Sequence, residues 1–272
     1  MQRSLYAIGA VAALGAASIA APAAAAEAPA DASLSVLHGV PDLTVDVYVN
    51  GALTLDDFTP GTLAGPLALP AGDYQLAITA SDAADASAPV IGPVDVTLEA
   101  GGNYTATANL DAEGQPTANF YTNDTSTIEA GKTRLTVRHV AAAPAVDVLA
   151  GGTPIVENLS NPDEASLTTD PGMVSAAVAA TGTTDPVIGP ADLNLPEGTS
   201  TIVYAWGSLE AGNLALATQS IEGLHSAPGA VPGGQSGLAA QDDNGAAVGL
   251  GAFLLVLLGG AAAVARRRTA RV

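Results

Sequence analysis

Residues 34–58 read LSVLHGVPDLTVDVYVNGALTLDDF, and residues 135–159 read LTVRHVAAAPAVDVLAGGTPIVENL. The two stretches align without a gap at an offset of 101 residues. A second block, Pro89–Pro93, recurs as Pro186–Pro190 at an offset of 97. Because both blocks recur in the same order, the sequence predicts a duplicated domain. The identical pairs of the first block are Leu34/Leu135, Val36/Val137, His38/His139, Val45/Val146, Asp46/Asp147, Val47/Val148 and Gly51/Gly152.

Apolar residues alternate with polar ones inside each copy, which predicts half-buried β-strands. Turn signals such as Asn50-Gly51 and Gly151-Gly152 separate the alternating segments, and no long helical pattern intervenes. We therefore expect an all-β fold: two tandem immunoglobulin-like antiparallel β-sandwich domains of some seven strands each. The predicted strands are 34–38, 45–49, 74–80, 90–98, 104–110 and 117–121 in the first copy, and 174–180, 187–195, 201–206 and 215–221 in the second.

The two opening stretches resemble the opening motif of domain-of-unknown-function family 4397 (DUF4397), and the later stretch IGPVDVTLEAGGNYTATA resembles its closing strands. The resemblance covers about residues 33–222. The first copy departs from the motif at 42–44, whereas the second carries the usual proline-alanine pair as Pro144-Ala145. The resemblance implies β-sandwich modules on a secreted or anchored surface protein. It implies no reaction and no site residues.

Both ends of the chain carry segments typical of export and anchoring. Residues 1–26 have a basic Arg3, an apolar run and a small-residue end, which predicts a signal peptide. Residues 246–265 contain no charge and are long enough to span a bilayer. The basic tail 266–272 then predicts a cytoplasmic C-terminus and an extracellular ectodomain. We expect a single-pass protein of the cell membrane, with the membrane bound through this C-terminal helix.

The domain organisation follows from these segments and from the repeat. The first β-sandwich repeat is predicted at 33–124 and the second at 133–223. Only a short stretch joins them, so we expect the two to lie close together with a small contact. Residues 224–245 are rich in Gly, Ser, Pro and Gln and are predicted to form a flexible stalk.

Charge and cysteine content exclude several functions. Between the terminal segments the chain carries three basic and 27 acidic residues, a formal charge of −24. Such a surface repels nucleic acid and anionic lipid, so we expect neither as a partner of the ectodomain. The chain has no cysteine, which excludes disulfides, thiolate chemistry and cysteine-zinc sites.

The duplicated His38/Asp46 and His139/Asp147 pairs are the main candidates for chemistry. A hairpin could bring each histidine to its aspartate and form a metal site or a general-base pair. The alternative is a structural histidine whose nitrogens are held by a carboxylate or a backbone group. We favour the structural role because no nucleophile accompanies either pair. By parity His38 points toward the core or its rim, and Asp46 toward solvent.

Other candidates are weaker. Tyr204 and Trp206 share one face of a predicted strand and are expected in a core rather than in a sugar-binding platform. His225 is expected to be solvated in the stalk, and Asp242–Gly245 lacks the ligand spacing of a calcium loop. The sequence contains no H-E-x-x-H, G-x-S-x-G or Walker motif. We assign no catalytic, cofactor-binding or metal-binding residue and expect no cofactor.

The sequence thus favours a non-enzymatic cell-surface protein that displays two β-sandwich modules for structural or protein and cell-wall interaction. The partner is not identified by any motif. A module that binds a small molecule, a carbohydrate or a divalent cation is the alternative.

Overall fold

The computed structural model describes residues 29–226. This part of the chain is built from strands and turns, and no helix occurs in it. The strands are β1 (Ala32–His38), β2 (Val45–Val49), β3 (Ala52–Phe58), β4 (Leu63–Leu69), β5 (Gly72–Ala80), β6 (Ile91–Leu98), β7 (Asn103–Leu110), β8 (Pro116–Thr122), β9 (Thr133–Ala142), β10 (Val146–Ala150), β11 (Thr153–Leu159), β12 (Glu164–Thr169), β13 (Gly172–Ala180), β14 (Pro186–Leu195), β15 (Ser200–Ser208) and β16 (Ala215–Ile221).

Each half of the described chain forms two four-stranded sheets with the same strand order. The first half has β4-β1-β7-β8 and β3-β2-β5-β6; the second has β12-β9-β15-β16 and β11-β10-β13-β14. The all-β prediction is confirmed. Eight strands form each set rather than seven, and β1 pairs with β4 and, in parallel, with β7. This order differs from that of an immunoglobulin constant domain, where the first strand pairs with the second.

Each set of strands buries its own apolar core between its two sheets. In the first sandwich Leu34 and Val36 of β1 face Val45 and Val47 of β2 within one buried cluster. Leu135, Val137, Val146 and Val148 occupy the corresponding places in the second sandwich. Burying a valine or leucine side chain fully contributes roughly 1.5–3 kcal/mol, so these inner faces stabilise each sandwich.

The tight turns form where the sequence supplies residues that accept a positive φ. Asn50 and Gly51 have φ of 50° and 76°, which gives the primed turn that suits the twist of a two-stranded hairpin. Gly151 and Gly152 do the same in the second sandwich, with φ of 56° and 81°. The turn signals read from the sequence thus place the hairpins β2–β3 and β10–β11.

Six strands lie outside the predicted list, and two of them, β9 and β10, are the copies of the predicted β1 and β2. The other four have no predicted counterpart: β3 and β4 in the first sandwich, and β11 and β12 in the second. Each lies at the edge of its sheet. Most side chains of β3 and β11 are exposed, with only Phe58 and Leu159 buried at their ends. An edge strand with little buried surface lacks the apolar alternation on which the prediction depends.

The two sandwiches share an extensive contact, larger than the small one expected. Sheet β4-β1-β7-β8 packs its outer face on the outer face of sheet β12-β9-β15-β16. Leu37 of β1, Val140 of β9, and Ile202 and Tyr204 of β15 form one buried cluster between them. As a result, nearly every residue of the central strands β1, β7, β9 and β15 is buried on both faces.

The first residues of the predicted stalk are held by main-chain hydrogen bonds. The Ile128 N–H donates to the Leu224 carbonyl at 2.6 Å, and the Ser226 N–H donates to the Ile128 carbonyl at 3.0 Å. The rest of the stalk lies outside the described residues, as do the predicted signal peptide, transmembrane segment and basic tail. Among residues 29–226, no helix of membrane-spanning length and apolarity is found.

Candidate functional site

His38 ends β1 and is fully buried, as its parity predicts. Its Nε2 lies 2.6 Å from the Leu43 carbonyl oxygen, and its Nδ1 accepts a hydrogen bond from the Val40 N–H at 3.4 Å. Because Nδ1 acts as an acceptor, the neutral ring carries its proton on Nε2 and donates it to Leu43. The imidazole thereby holds both ends of the loop between β1 and β2.

His139 repeats this arrangement in the second sandwich. Its Nε2 lies 3.1 Å from the Pro144 carbonyl oxygen, and its Nδ1 accepts from the Ala141 N–H at 3.3 Å. Burial lowers the pKa of both histidines below the usual value, and the backbone hydrogen bonds offset part of that shift. Both rings are therefore neutral at physiological pH, and each is engaged at both nitrogens.

The aspartates of the two pairs bind backbone rather than histidine. The Asp57 N–H donates to Asp46 Oδ1 at 2.9 Å. In the second sandwich the Asn158 N–H donates to Asp147 Oδ1 and the Gly182 N–H to Asp147 Oδ2, each at 2.8 Å. These hydrogen bonds lower the pKa of Asp147. Within the described residues, neither histidine is hydrogen-bonded to the aspartate proposed as its partner.

The predicted solvent orientation of Asp46 is wrong, because Asp46 and Asp147 are each only 4% exposed. Both lie beside a β-bulge, where two residues of the edge strand face one residue of β2 or β10. The bulge places Asp57 and Asn158 in the left-handed region, with φ of 50° and 56°. The buried carboxylate accepts the N–H that the bulge leaves without a ladder partner.

The largest buried side chain outside the two cores is Arg138, which the sequence reasoning missed. It is 1% exposed and lies in the contact between the sandwiches. Its Nε donates to Glu164 at 2.7 Å, and its terminal nitrogens donate to Tyr204 Oη and Asn123 Oδ1, both at 2.9 Å. Burial raises the pKa of Tyr204, and the nearby guanidinium offsets part of that shift.

Further polar side chains extend this network across the contact. The Thr105 hydroxyl of the first sandwich donates to Gln219 Oε1 of the second at 3.0 Å. Gln219 Nε2 donates back to the Ser35 hydroxyl at 3.2 Å. The Tyr121 hydroxyl donates to the Pro162 carbonyl at 2.8 Å. These groups satisfy one another in the contact, so the network joins two folded units rather than presenting reactive groups to a substrate.

One sequence signal could have located Arg138. Arg138 is one of only three basic residues between the terminal segments, and it takes the place of Leu37 in the first copy. Leu37 and Arg138 have the outward parity of their strands, and an apolar residue with that parity indicates that the outer face of the sheet is covered. Tyr204 and Trp206, predicted to lie in a core, also belong to this contact and not to the interior of either sandwich. His225 is exposed, as expected.

The cavities inside the two sandwiches are too small for a ligand. The first encloses about 20 Å³ and the second about 10 Å³, and both are lined almost entirely by apolar side chains. An open groove of about 560 Å³ lies where loops of the two sandwiches meet, with Asp42, Glu113 and Glu210 in its lining. The groove contains no nucleophile paired with a base.

A comparison with known proteins connects this geometry to a family. Residues 29–226 form all-β sandwiches in which a buried histidine holds the loop between the first two strands and a buried aspartate holds the bulge between the second and third. Residues 32–149 match the family model "Domain of unknown function (DUF4397)", a match that spans β1 to β9 and ends within β10. This match supports the family that the opening motifs resemble. No curated protein matches the chain.

Proposed function

We propose that the chain is a non-enzymatic cell-surface protein that displays two β-sandwich modules for structural or protein and cell-wall interaction. The second sandwich is proposed to be a second copy of the DUF4397 domain. The shared strand order and the repeated histidine and aspartate contacts support this duplication.

The contact between the sandwiches is the observation that carries the proposal. Its apolar cluster and its polar network join the modules into one unit over the full width of two sheets. A pair fixed in this way suits a display or spacer role, because its outward surfaces keep a set orientation. Both candidate histidines are buried and have both ring nitrogens engaged by backbone groups, which argues against general-base catalysis.

The location of the protein is proposed from the sequence of its two ends. Residues 1–26 direct export, residues 224–245 form a stalk, and residues 246–265 anchor the chain with its basic tail in the cytoplasm. The acidic ectodomain is expected to bind neither nucleic acid nor anionic lipid. Its partner is instead a wall component or another surface protein.

The experiment is an accessibility assay on intact cells. An epitope inserted in the turn at Gly114 should bind antibody on intact cells. An epitope placed after Val272 should bind antibody only once the cells have been permeabilised. If the Gly114 epitope is inaccessible in intact cells and accessible after lysis, the surface role is wrong. Retention of the full chain by isolated walls after detergent extraction then tests the wall partner, and release with the membrane fraction would argue against it.

A small-molecule or carbohydrate site receives no support from the internal cavities, because both are near the size of a single water molecule. The divalent-cation alternative has a specific structural observation in its favour.

A further inference from the structure

The β-bulge of the first sandwich brings two acidic residues against a third. Pairing between β2 and β3 passes from Val45↔Phe58 to Val47↔Leu55, so Asp56 and Asp57 together face Asp46. One carboxylate oxygen from each of these three aspartates lies within 4.8 Å of those from the other two. Three negative charges at such distances repel strongly, unless a cation lies between them.

The carboxylate of Asp46 is buried, and within the described residues only one of its oxygens accepts a hydrogen bond. Oδ1 accepts from the Asp57 N–H, and within residues 29–226 no donor reaches Oδ2. Asp56 and Asp57 are exposed, so the cluster opens to solvent on one side. This arrangement gives an oxygen-rich site with an entry path and a fixed carboxylate at its base.

An independent observation at the same place is the hydroxyl of Thr79. Thr79 lies directly opposite Asp46 on β5, and residues paired in this way project their side chains from the same face of the sheet. Thr79 is fully buried, and in the described part of the chain its hydroxyl has no hydrogen-bond partner. A buried hydroxyl without a hydrogen-bond partner is uncommon, and a bound ligand in contact with the hydroxyl oxygen would explain it.

The second sandwich has the same bulge without these features. The residue opposite Asp147 is Ala179, and Asn158 stands where the first sandwich has Asp57. Both oxygens of Asp147 accept backbone N–H groups. The bulge therefore forms with one buried aspartate alone, and the carboxylates of Asp56 and Asp57 in the first sandwich are not needed for the fold.

We propose that Asp46, Asp56 and Asp57 bind one calcium ion, with the Thr79 hydroxyl as a further oxygen ligand. Calcium takes six to eight oxygen ligands in flexible geometry, and water completes the shell on the exposed side. A three-carboxylate site with no nitrogen or sulfur donor suits a hard cation rather than zinc. The site lies on the sheet that faces away from the contact between the sandwiches, and it does not depend on the proposed surface role.

Isothermal titration of calcium into the full chain in non-ionic detergent tests the proposal. We expect one site in the wild type, and an affinity at least about tenfold weaker in the Asp56→Asn/Asp57→Asn variant, because calcium affinity follows the number of charged ligands. Asn158 already occupies a left-handed position in the second sandwich, so Asp57→Asn should preserve the bulge.

The matched control is Glu157→Gln, which removes the charge at the position equivalent to Asp56. It should leave the calcium affinity unchanged. Thr79→Ala introduces the residue found at Ala179 in the second sandwich and should weaken calcium binding. The melting temperature of this variant without calcium checks that it is folded. No binding in the wild type at about 5 mM calcium, beyond the range of extracellular sites, would overturn the proposal. Unchanged affinity in the double variant, or an equal loss in the Glu157→Gln control, would do the same.

Discussion

The guanidinium carbon of Arg138 lies 4.2 Å from the centre of the Tyr121 ring, and the two residues belong to different sandwiches. The charge stacks on the ring face, where the aromatic quadrupole attracts a cation. Arg138 is fully buried and Tyr121 is half-buried, and this burial raises the pKa of Tyr121 well above its usual value. Arg138 thus makes three hydrogen bonds, of which the one to Glu164 is also an ion pair, and it reaches the other sandwich through Asn123 and the Tyr121 ring.

Replacing this arginine should destabilise the protein strongly. Arg138→Leu introduces the residue that the first copy carries at Leu37, and it leaves Tyr204 and Asn123 without their donor. We expect a loss of about 2–3 kcal/mol in the free energy of unfolding, measured by urea denaturation. The control is Lys132→Ala, which removes an exposed, solvent-screened ion pair with Asp170 and should change the free energy of unfolding far less than Arg138→Leu does. Equal losses in the two variants would contradict the role assigned to Arg138.

The two sandwiches should unfold in a single transition. Their contact buries Leu37 and Val140 between sheets, so separating the modules exposes apolar surface and breaks the polar network. We expect the calorimetric and van't Hoff enthalpies to agree in the wild type. Leu37→Asp should divide the transition in two, because it places an unpaired charge in the contact. Two separate transitions in the wild type would show that the modules are independent.

Stability should fall on mild acidification because of the buried histidines. Burial lowers the pKa of His38 and His139, so the unfolded chain binds more protons than the folded chain below its ordinary histidine pKa of about 6.5. The free energy of unfolding should therefore decrease from about pH 7 to pH 5. Asp163 offsets part of the shift at His139 only.

The His38→Gln/His139→Gln variant tests this assignment. It should be less stable than the wild type at pH 7.5, because it disturbs the loops that the rings hold. Its stability should then change less between pH 7 and pH 5. A variant with the wild-type slope would locate the acid sensitivity elsewhere.

Gly92→Ala should destabilise the protein more than Gly51→Ala. Both glycines have a positive φ, 89° and 76° respectively, so both substitutions strain the backbone. A Cβ at Gly92 would lie 2.8 Å from the Leu76 carbonyl oxygen, whereas a Cβ at Gly51 would meet nothing within 4 Å. We expect about 1 kcal/mol at Gly51 and at least about twice that at Gly92 by thermal denaturation. Equal effects would mean that the close approach is relieved by a small backbone shift.

The strands that alternate in sequence could be predicted, and those at sheet edges could not. β5 and β13 place an apolar residue in the core at every second position, and this alternation marks them as strands: Tyr74, Leu76 and Ile78 in β5, and Val174, Ala176 and Val178 in β13. β3 and β11 are exposed along most of their length, and their formation depends on hydrogen bonds from β2 and β10. Backbone hydrogen bonding of this kind leaves no apolar pattern in the sequence of an edge strand.

The residues and the extent of the contact between the sandwiches could not be predicted from the sequence, for a different reason. Its faces carry Ser35, Thr105 and Arg138, residues that normally face water. They are buried because each finds a partner in the other sandwich, and pairing at such a distance along the chain leaves no periodic signal. The same holds for Asp46, whose burial follows from a bulge that alternation does not reveal.

Each sandwich uses the same sheet, β4-β1-β7-β8 or β12-β9-β15-β16, to meet its neighbour. The association is therefore saturated at two members, since neither has a second sheet of that kind to offer. A third sandwich added by further duplication would find no free sheet of this kind to pack on. It would need a different kind of contact, or a fourth sandwich with which to form a second pair. Chains of this architecture should accordingly lengthen in even steps.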